Sequence, residues 1–161
     1  MKGKRELVEI LQKLNITYRK YVHPPLNSVS DSELYAKHIN VLHCKNLLLK
    51  DMTGKIYLAI IPAHKKVDLK ELSNKIKSKR LSFVSSTILE TSLGVKPGCV
   101  TPFALMNDLE KQIMVIIDQD ILREKETCFH PMINTETYVI EVSDLLKYID
   151  YCGQHRKNCE I

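Results

Sequence analysis

A chain of 161 residues with 44% apolar side chains fits one domain around a single core, and no apolar run in it approaches the roughly 18 residues that cross a bilayer. Its N-terminus, Met1-Lys2-Gly3-Lys4-Arg5, leads into an amphipathic pattern instead of a signal peptide, and its five cysteines (Cys44, Cys99, Cys128, Cys152 and Cys159) include no CxxC pair, so a cytoplasmic protein with reduced thiols is expected. The formal charge of +5 is modest but uneven: Lys65, Lys66, Lys70, Lys75, Lys77, Lys79 and Arg80 crowd one segment, offset in part by Asp68 and Glu71, and make either a phosphate-attracting patch or a solvated helix face.

Leu7, Ile10, Leu11 and Leu14 recur at helical spacing over residues 3–14, and Asn15 stands where that helix should stop. Residues 17–22 alternate as a strand does. His23-Pro24-Pro25 then makes a stiff corner, because proline lacks an N–H and fixes φ. Ser30 or Asp31 can cap a short helix over 31–38. Residues 44–50 and 56–61 read as strands joined by the turn Asp51-Met52-Thr53-Gly54. Over 68–77, Leu69, Leu72 and Ile76 share one side of a helix whose outer face carries the lysines. There follow a short strand at 81–84, a helix from Ser85 or Ser86 to Leu93 ended by Gly94, and a tight turn at Pro97-Gly98. Strands at 113–118, 127–130 and 137–142, a short helix near 119–123 and a last helix over 143–150 capped by Ser143 complete the pattern. The expected fold is mixed α/β, of the α+β kind, with several strands close enough to pair antiparallel. Residues 1–150 read as the domain and 151–161 as a flexible tail. Cys152, His155 and Cys159 in that tail mimic part of a zinc site, but three local ligands are too few, and no metal is expected.

GxSxG, HExxH, a Walker loop and GxGxxG are all missing, so an enzyme built on this chain would act on an already labile bond by positioning and charge stabilisation. Three clusters could do this. Lys45-Asn46 heads the leucine run 47–49; a Lys buried there without a partner would be costly, so it faces a cleft or charged ligand, or snorkels to water. Neighbours on a regular strand face opposite ways, so the two share a pocket only if the chain bends or the strand starts there. The second cluster is the stretch from Gly94 to Asn107, where N–H groups at Gly98 and Cys99 could bind an oxyanion or simply form a structural turn. In the third, Phe129-His130-Pro131 with Asn134, Thr135 and Thr137, His130 either exchanges hydrogen bonds near neutral pH or is structural.

Taken in chain order, His23-Pro24-Pro25, Lys45-Asn46-Leu47-Leu48-Leu49-Lys50-Asp51, Val67-Asp68-Leu69-Lys70, Arg80-Leu81-Ser82-Phe83, the run from Gly94 to Phe103, Asn107-Asp108 and His130-Pro131 resemble the YbaK/ProX family of free-standing prolyl-tRNA editing domains. The Lys-Asn string is most similar to the family's Ala-tRNA(Pro) deacylase branch. The resemblance implies a curved, largely antiparallel mixed sheet surrounded by helices. It also implies hydrolysis of mischarged Ala-tRNA(Pro) by water without a cofactor, with the tRNA(Pro) acceptor end as partner and a prolyl-tRNA synthetase as a further one. On this likeness Lys45, Asn46, Gly98 and His130 are catalytic, and His23, Pro24, Pro25, Asn27, Gly94, Cys99 and Thr101 form the substrate pocket. Lys50, Lys70, Lys77 and Arg80 would face the tRNA acceptor stem. Asn27 departs from the branch, whose members tend to carry an aromatic there, and would reshape the amino-acid pocket; Leu48 replaces a frequent Phe. The alternatives are a deacylase preferring Cys- or Ser-tRNA and a non-catalytic tRNA-binding or regulatory module of the same fold.

Overall fold

The computed structural model describes residues 1–161, the side chain of Val29 excepted. Helix α1 (Lys4–Lys13) turns Leu7 and Leu11 inward, and strand β1 (Arg19–Val22) follows it. Helix α2 (Val29–Ala36) begins earlier than the expected Ser30 or Asp31 cap. Its cap is Ser28, whose hydroxyl accepts the Asp31 N–H at 3.0 Å while the Asp31 carboxylate accepts the Ser28 N–H at 3.1 Å. Strands β2 (Leu42–Asp51) and β3 (Ile56–Pro62) form the expected hairpin, and the Asp51 carboxylate fastens its turn by accepting the Thr53 N–H at 2.8 Å. Helix α3 (Leu69–Ile76) is capped by Asp68, and Lys77 ends it in the left-handed region. Next come β4 (Leu81–Phe83) and α4 (Ser86–Leu93), the latter capped by Ser85 and ended by Gly94. A 3-10 turn over Pro102–Asn107 was not legible as a helix; Thr101 caps it. The chain closes with β5 (Ile113–Asp118), α5 (Gln119–Leu122), β6 (Glu126–Phe129), β7 (Glu136–Glu141), α6 (Val142–Tyr151) and β8 (Arg156–Cys159).

The strands form one eight-stranded mixed sheet in the order β1-β7-β6-β2-β3-β5-β8, with β4 paired to β2 off that path. β1/β7, β2/β3, β2/β4 and β6/β7 run antiparallel, while β2/β6, β3/β5 and β5/β8 run parallel. Alternation along β2 sends Leu48 into the larger apolar cluster with Leu58, Ile60 and Phe103, and Leu49 into the smaller one with Tyr57, Ile61 and Leu72. α1, α4 and α6 cover the larger cluster through Leu11, Leu93 and Leu145, and α3 covers the smaller through Leu72 and Ile76.

Two further expectations are corrected. Ser143 does not cap α6: the cap position is Glu141, and the Ser143 hydroxyl donates to the Glu141 carboxylate at 3.4 Å. The chain from 151 on is no loose tail either, because β8 pairs with β5 in register Val115↔Arg156 to Asp118↔Cys159 and buries Cys159 in the smaller cluster. Its polar run Arg156-Lys157-Asn158 hid the strand, since an edge strand need bury only a fraction of its side chains.

Candidate functional site

The site begins as a gap in the sheet. One edge of β2 pairs with β3, and the other edge pairs with β6 through Leu42↔Thr127 and His43↔Cys128 and with β4 through Leu49↔Phe83 to Asp51↔Leu81. Between those two pairings, residues 44–48 have β3 on one edge and no strand on the other. A cleft of about 510 Å³ occupies the gap, bounded by His130 after β6, by Phe83 and Val84 at the end of β4, and by the Pro97-Gly98 turn and Val100. The His43 carbonyl accepts from Ala63 on the β3 side and the Leu48 carbonyl accepts from Val84 on the other, so backbone alternation turns the main-chain groups of Asn46 into the cleft. A polar edge of this kind, buried beneath a cleft, invites a ligand.

Three of the expected catalytic residues converge there. The Asn46 amide donates to the Val100 carbonyl at 3.2 Å, which leaves its second N–H and its Oδ1 for other partners. Asn46 Oδ1 and His130 Nδ1 are both buried and unpartnered within the described residues. Buried polar groups are rarely left so, and each such atom costs about 1–3 kcal/mol. Burial pushes the His130 imidazole down to about 4, against the hydrogen bond of the Val100 carbonyl and helped by the neighbouring His23. His130 is therefore neutral at pH 7. Gly98 has φ +82°, and a Cβ built on it would meet nothing within 4 Å, so its backbone faces open space on the cleft wall.

A smaller chamber of about 180 Å³ opens from the same corner, sharing Cys44, Asn46, Gly98 and His130 with the cleft. His23 lines it, held from both ring nitrogens: Nδ1 lies 2.9 Å from the Pro24 carbonyl and must donate, so in the neutral ring Nε2 accepts from the Thr137 hydroxyl at 2.9 Å. His43, which the sequence reading did not single out, follows the same logic. Its Nε2 donates to the Ile39 carbonyl at 2.9 Å, which leaves Nδ1 to accept from the Cys128 thiol at 3.4 Å. Burial pushes the Cys44 thiol up to about 11 and the Cys128 thiol up to about 12, so neither supplies a thiolate nucleophile at neutral pH.

Other expected residues fall elsewhere. Lys45 borders the cleft, but β2 is regular here, with Lys45↔Ile61 next to Asn46↔Ile60. Its side chain accordingly lies on the opposite face from Asn46, and its ammonium donates to the Lys65 carbonyl. Gly94 serves the fold: it ends α4 with φ +67°, and a Cβ there would come within 3.0 Å of the Met1 side chain. Thr101 is fully buried, and its hydroxyl accepts the Phe103 N–H at 3.4 Å. The Cys99 N–H is already donated to the Lys96 carbonyl at 3.0 Å, so it is no free oxyanion donor. Pro24, Pro25 and Asn27 are exposed on the outside of the corner, which hydrogen bonds from His23 to Thr135 and from Leu26 to Asn134 fix against the loop after β6. Leu26, not Asn27, reaches the chamber.

The basic segment is also thinner than its sequence suggests. Lys65 turns inward to Asp118 at 2.9 Å and Asp120 at 2.8 Å, and Lys75 pairs with Glu71 at 2.9 Å. Lys70, Lys77, Lys79 and Arg80 remain exposed. Lys50, Arg80 and Ser82 line a groove of about 460 Å³ beside β4, and Lys70, Lys79 and Arg80 line a second of about 660 Å³ between α3 and β4. Among the described residues no group of His, Cys, Asp and Glu side chains could hold a metal ion, and no helix is long and apolar enough to cross a membrane.

Known proteins resemble this chain in sequence and in fold. The profile of the aminoacyl-tRNA editing domain family matches residues 23–148. The prolyl-tRNA editing protein ProX of Acetoanaerobium sticklandii is 31% identical over 163 residues, covering 100% of this chain and 99% of its own. Prolyl-tRNA synthetase associated domain-containing protein 1 of Danio rerio is 31% identical over 149 residues, covering 91% of this chain and 81% of its own. A solved structure of a candidate trans-editing enzyme for prolyl tRNA synthetase superimposes with a TM-score of 0.69 at 15% identity, covering 100% of this chain and 99% of that one, and so shares the fold.

Proposed function

The chain belongs to the aminoacyl-tRNA editing domain family, and on that premise we propose that it is a trans-editing hydrolase that deacylates mischarged tRNA(Pro), with Ala-tRNA(Pro) as its preferred substrate. One observation carries this reading: Asn46 Oδ1 and His130 Nδ1 are buried, unpartnered and adjacent to the open backbone of Gly98, in a corner that holds no ionised nucleophile. An aminoacyl ester is activated already, so holding its carbonyl and a water in register supplies much of the catalysis. The free amide N–H of Asn46 and the Gly98 backbone offer donors to the carbonyl oxygen as it gains charge. His130, neutral at working pH, accepts a hydrogen from the attacking water or from the ribose hydroxyl at its unpartnered nitrogen. Lys45 stands on the other lip of the open edge. Its ammonium is held by the Lys65 carbonyl on the face of β2 away from Asn46, so its role would be charge attraction to a phosphate of the bound terminus, apart from the ester.

The inner chamber of about 180 Å³ suits a small aminoacyl group, and the shape set by its walls of Tyr35, Ile39 and Phe129, more than its volume, would have to reject the proline ring. Lys50, Lys70, Lys77 and Arg80 suit the phosphates of an acceptor stem. The name of the Danio rerio relative supports a prolyl-tRNA synthetase as a partner. β8 extends the same sheet, which supports counting residues 151–161 with the editing domain.

The test is a deacylation assay with proline tRNA charged with Ala, Cys, Ser or Pro, comparing wild type with Lys45→Ala and Asn46→Ala. Faster release of Ala than of Cys or Ser, with Pro-tRNA spared and Asn46→Ala impaired, is expected. No hydrolysis of any ester overturns the enzyme reading, and equal hydrolysis of Pro overturns the editing reading.

A further inference from the structure

Among the described residues the large aromatic side chains left exposed are Phe83 and Tyr151. Tyr151 has the Lys13 ammonium 5.2 Å from its ring centroid, whereas Phe83, 61% exposed, stands at the mouth of the cleft. Nothing in the packing asks for a phenylalanine there. Its strand β4 is three residues long, and of these only Leu81 is buried. An exposed aromatic bordering a concave site is informative where an isolated surface aromatic is not.

The position of Phe83 along β2 gives it a partner. Phe83 is in register with Leu49, three residues beyond Asn46, so the two ends of the cleft are separated by about 10 Å at the rise of a strand, and the odd spacing puts the ring on the opposite face of β2 from the Asn46 side chain, so that a ligand meets both only by crossing the unpaired edge between them. That is the scale of a nucleoside laid along the open edge, with the 3′ ester at Asn46, Gly98 and His130 and the base at Phe83. The next positions in the same direction are cationic: Lys50 pairs with Ser82, and both line the basic groove with Arg80. A flat apolar contact followed by cations describes a nucleotide better than an apolar peptide, which would need no counter-charge. Resting on the tRNA-end reading above, we propose that Phe83 is the stacking platform for the unpaired terminal base of the acceptor end, between the hydrolytic corner and the phosphate groove. Stacking of this kind tolerates any base. It therefore contributes affinity and register along the edge, while amino-acid choice stays with the inner chamber.

The test uses the intact chain and an ACCA ribotetranucleotide, uncharged, so that binding is read apart from hydrolysis. Phe83→Ala should weaken ACCA binding roughly ten-fold, and Phe83→Tyr should restore it, because the ring is what matters. Against a tetranucleotide whose 3′ residue is abasic, wild type and Phe83→Ala should bind equally. The chain has no tryptophan, so Phe83→Trp adds its one indole, which can be excited selectively over the tyrosines and whose emission should be quenched by ACCA and unchanged by the abasic analogue. Since Phe83 is largely exposed, thermal unfolding of all three variants should match wild type. Equal ACCA binding by wild type and Phe83→Ala overturns the proposal, as does an equal loss on the abasic analogue, an unquenched Phe83→Trp, or no binding of ACCA by wild type. Phe83-dependent binding by a protein that hydrolyses no aminoacyl ester would sink the hydrolase reading and leave the platform standing.

Discussion

The Asn46 side chain donates to the Val100 carbonyl at 3.2 Å, and this one bond ties the open edge of β2 to the loop that carries Gly98. It fixes which way the amide faces, since a carbonyl can only accept, and so leaves Oδ1 as the buried acceptor without a partner. Asn46→Ala removes a hydrogen bond and an unpartnered acceptor together, two changes of about 1 kcal/mol and opposite sign. The variant should unfold within a few degrees of wild type while kcat for deacylation falls about 100-fold. Thermal unfolding and single-turnover deacylation measured on one preparation separate the two effects, and parallel losses would mark Asn46 as a structural residue.

His130 predicts a pH signature. An unfolded histidine titrates near 6.5 and the folded one at about 4, so between those values the unfolded chain binds the extra proton and stability falls as pH falls. The loss from this group is about 3 kcal/mol across that window, and the group adds no pH dependence above it. Carboxylates titrate in the same range, so the measurement is a difference: urea unfolding of wild type against His130→Gln from pH 7.5 to 4. The gap between them should change by most of that amount. A constant gap would mean that His130 is not held neutral by burial.

Much of the frame was legible in the sequence because it rests on local rules. Apolar spacing gave α1 and α3, Ser85 gave a helix start, and Gly94 gave a helix end. Of the site, Asn46, Gly98, His130 and His23 were reachable through motif order. What could not be read was non-local. The gap on β2 exists because β6 pairs two residues of it and β4 pairs three others, a matter of register between distant segments. The same limit explains the basic segment: Lys65 reads as one more surface cation until Asp118, far along the chain, is found beside it. Lys45 and Asn46 looked like a pair because they are neighbours in sequence, and strand alternation divides them.

Gly98 and Gly94 share a left-handed backbone and should respond to alanine in opposite ways. Either substitution forces an L-residue into that region at a cost of about 1 kcal/mol. At Gly98 the new methyl meets open space in the cleft, where the ester would lie; at Gly94 it presses on the flexible Met1 side chain and approaches the Asn107 amide at 3.4 Å. Gly98→Ala should therefore keep its fold and lose deacylation by at least ten-fold. Gly94→Ala should lose stability and keep the kcat of its folded fraction. Assays well below both unfolding midpoints decide the matter, and reversed behaviour would exchange the roles assigned to the two glycines.

The clamp around Lys65 should matter more to stability than any surface ion pair. Asp118 is fully buried and receives the Lys65 ammonium on both oxygens, at 3.0 and 2.9 Å, while the same ammonium reaches the Ile161 carbonyl at 3.0 Å and so pins the C-terminal strand. Asp118 also accepts the Asp120 N–H at 2.9 Å to start α5. Asp118→Ala leaves the half-buried ammonium with the more exposed Asp120 as its one charged partner and removes a helix cap, so it should destabilise by about 3 kcal/mol, or roughly 10 °C in Tm. The Lys65 carbonyl also holds the Lys45 ammonium, so the same variant should disturb the catalytic edge. Deleting residues 160 and 161 removes only one partner of the clamp and should cost less. Calorimetric unfolding of the two variants checks the order, and equal Tm values would show that the carboxylate and the chain end contribute alike.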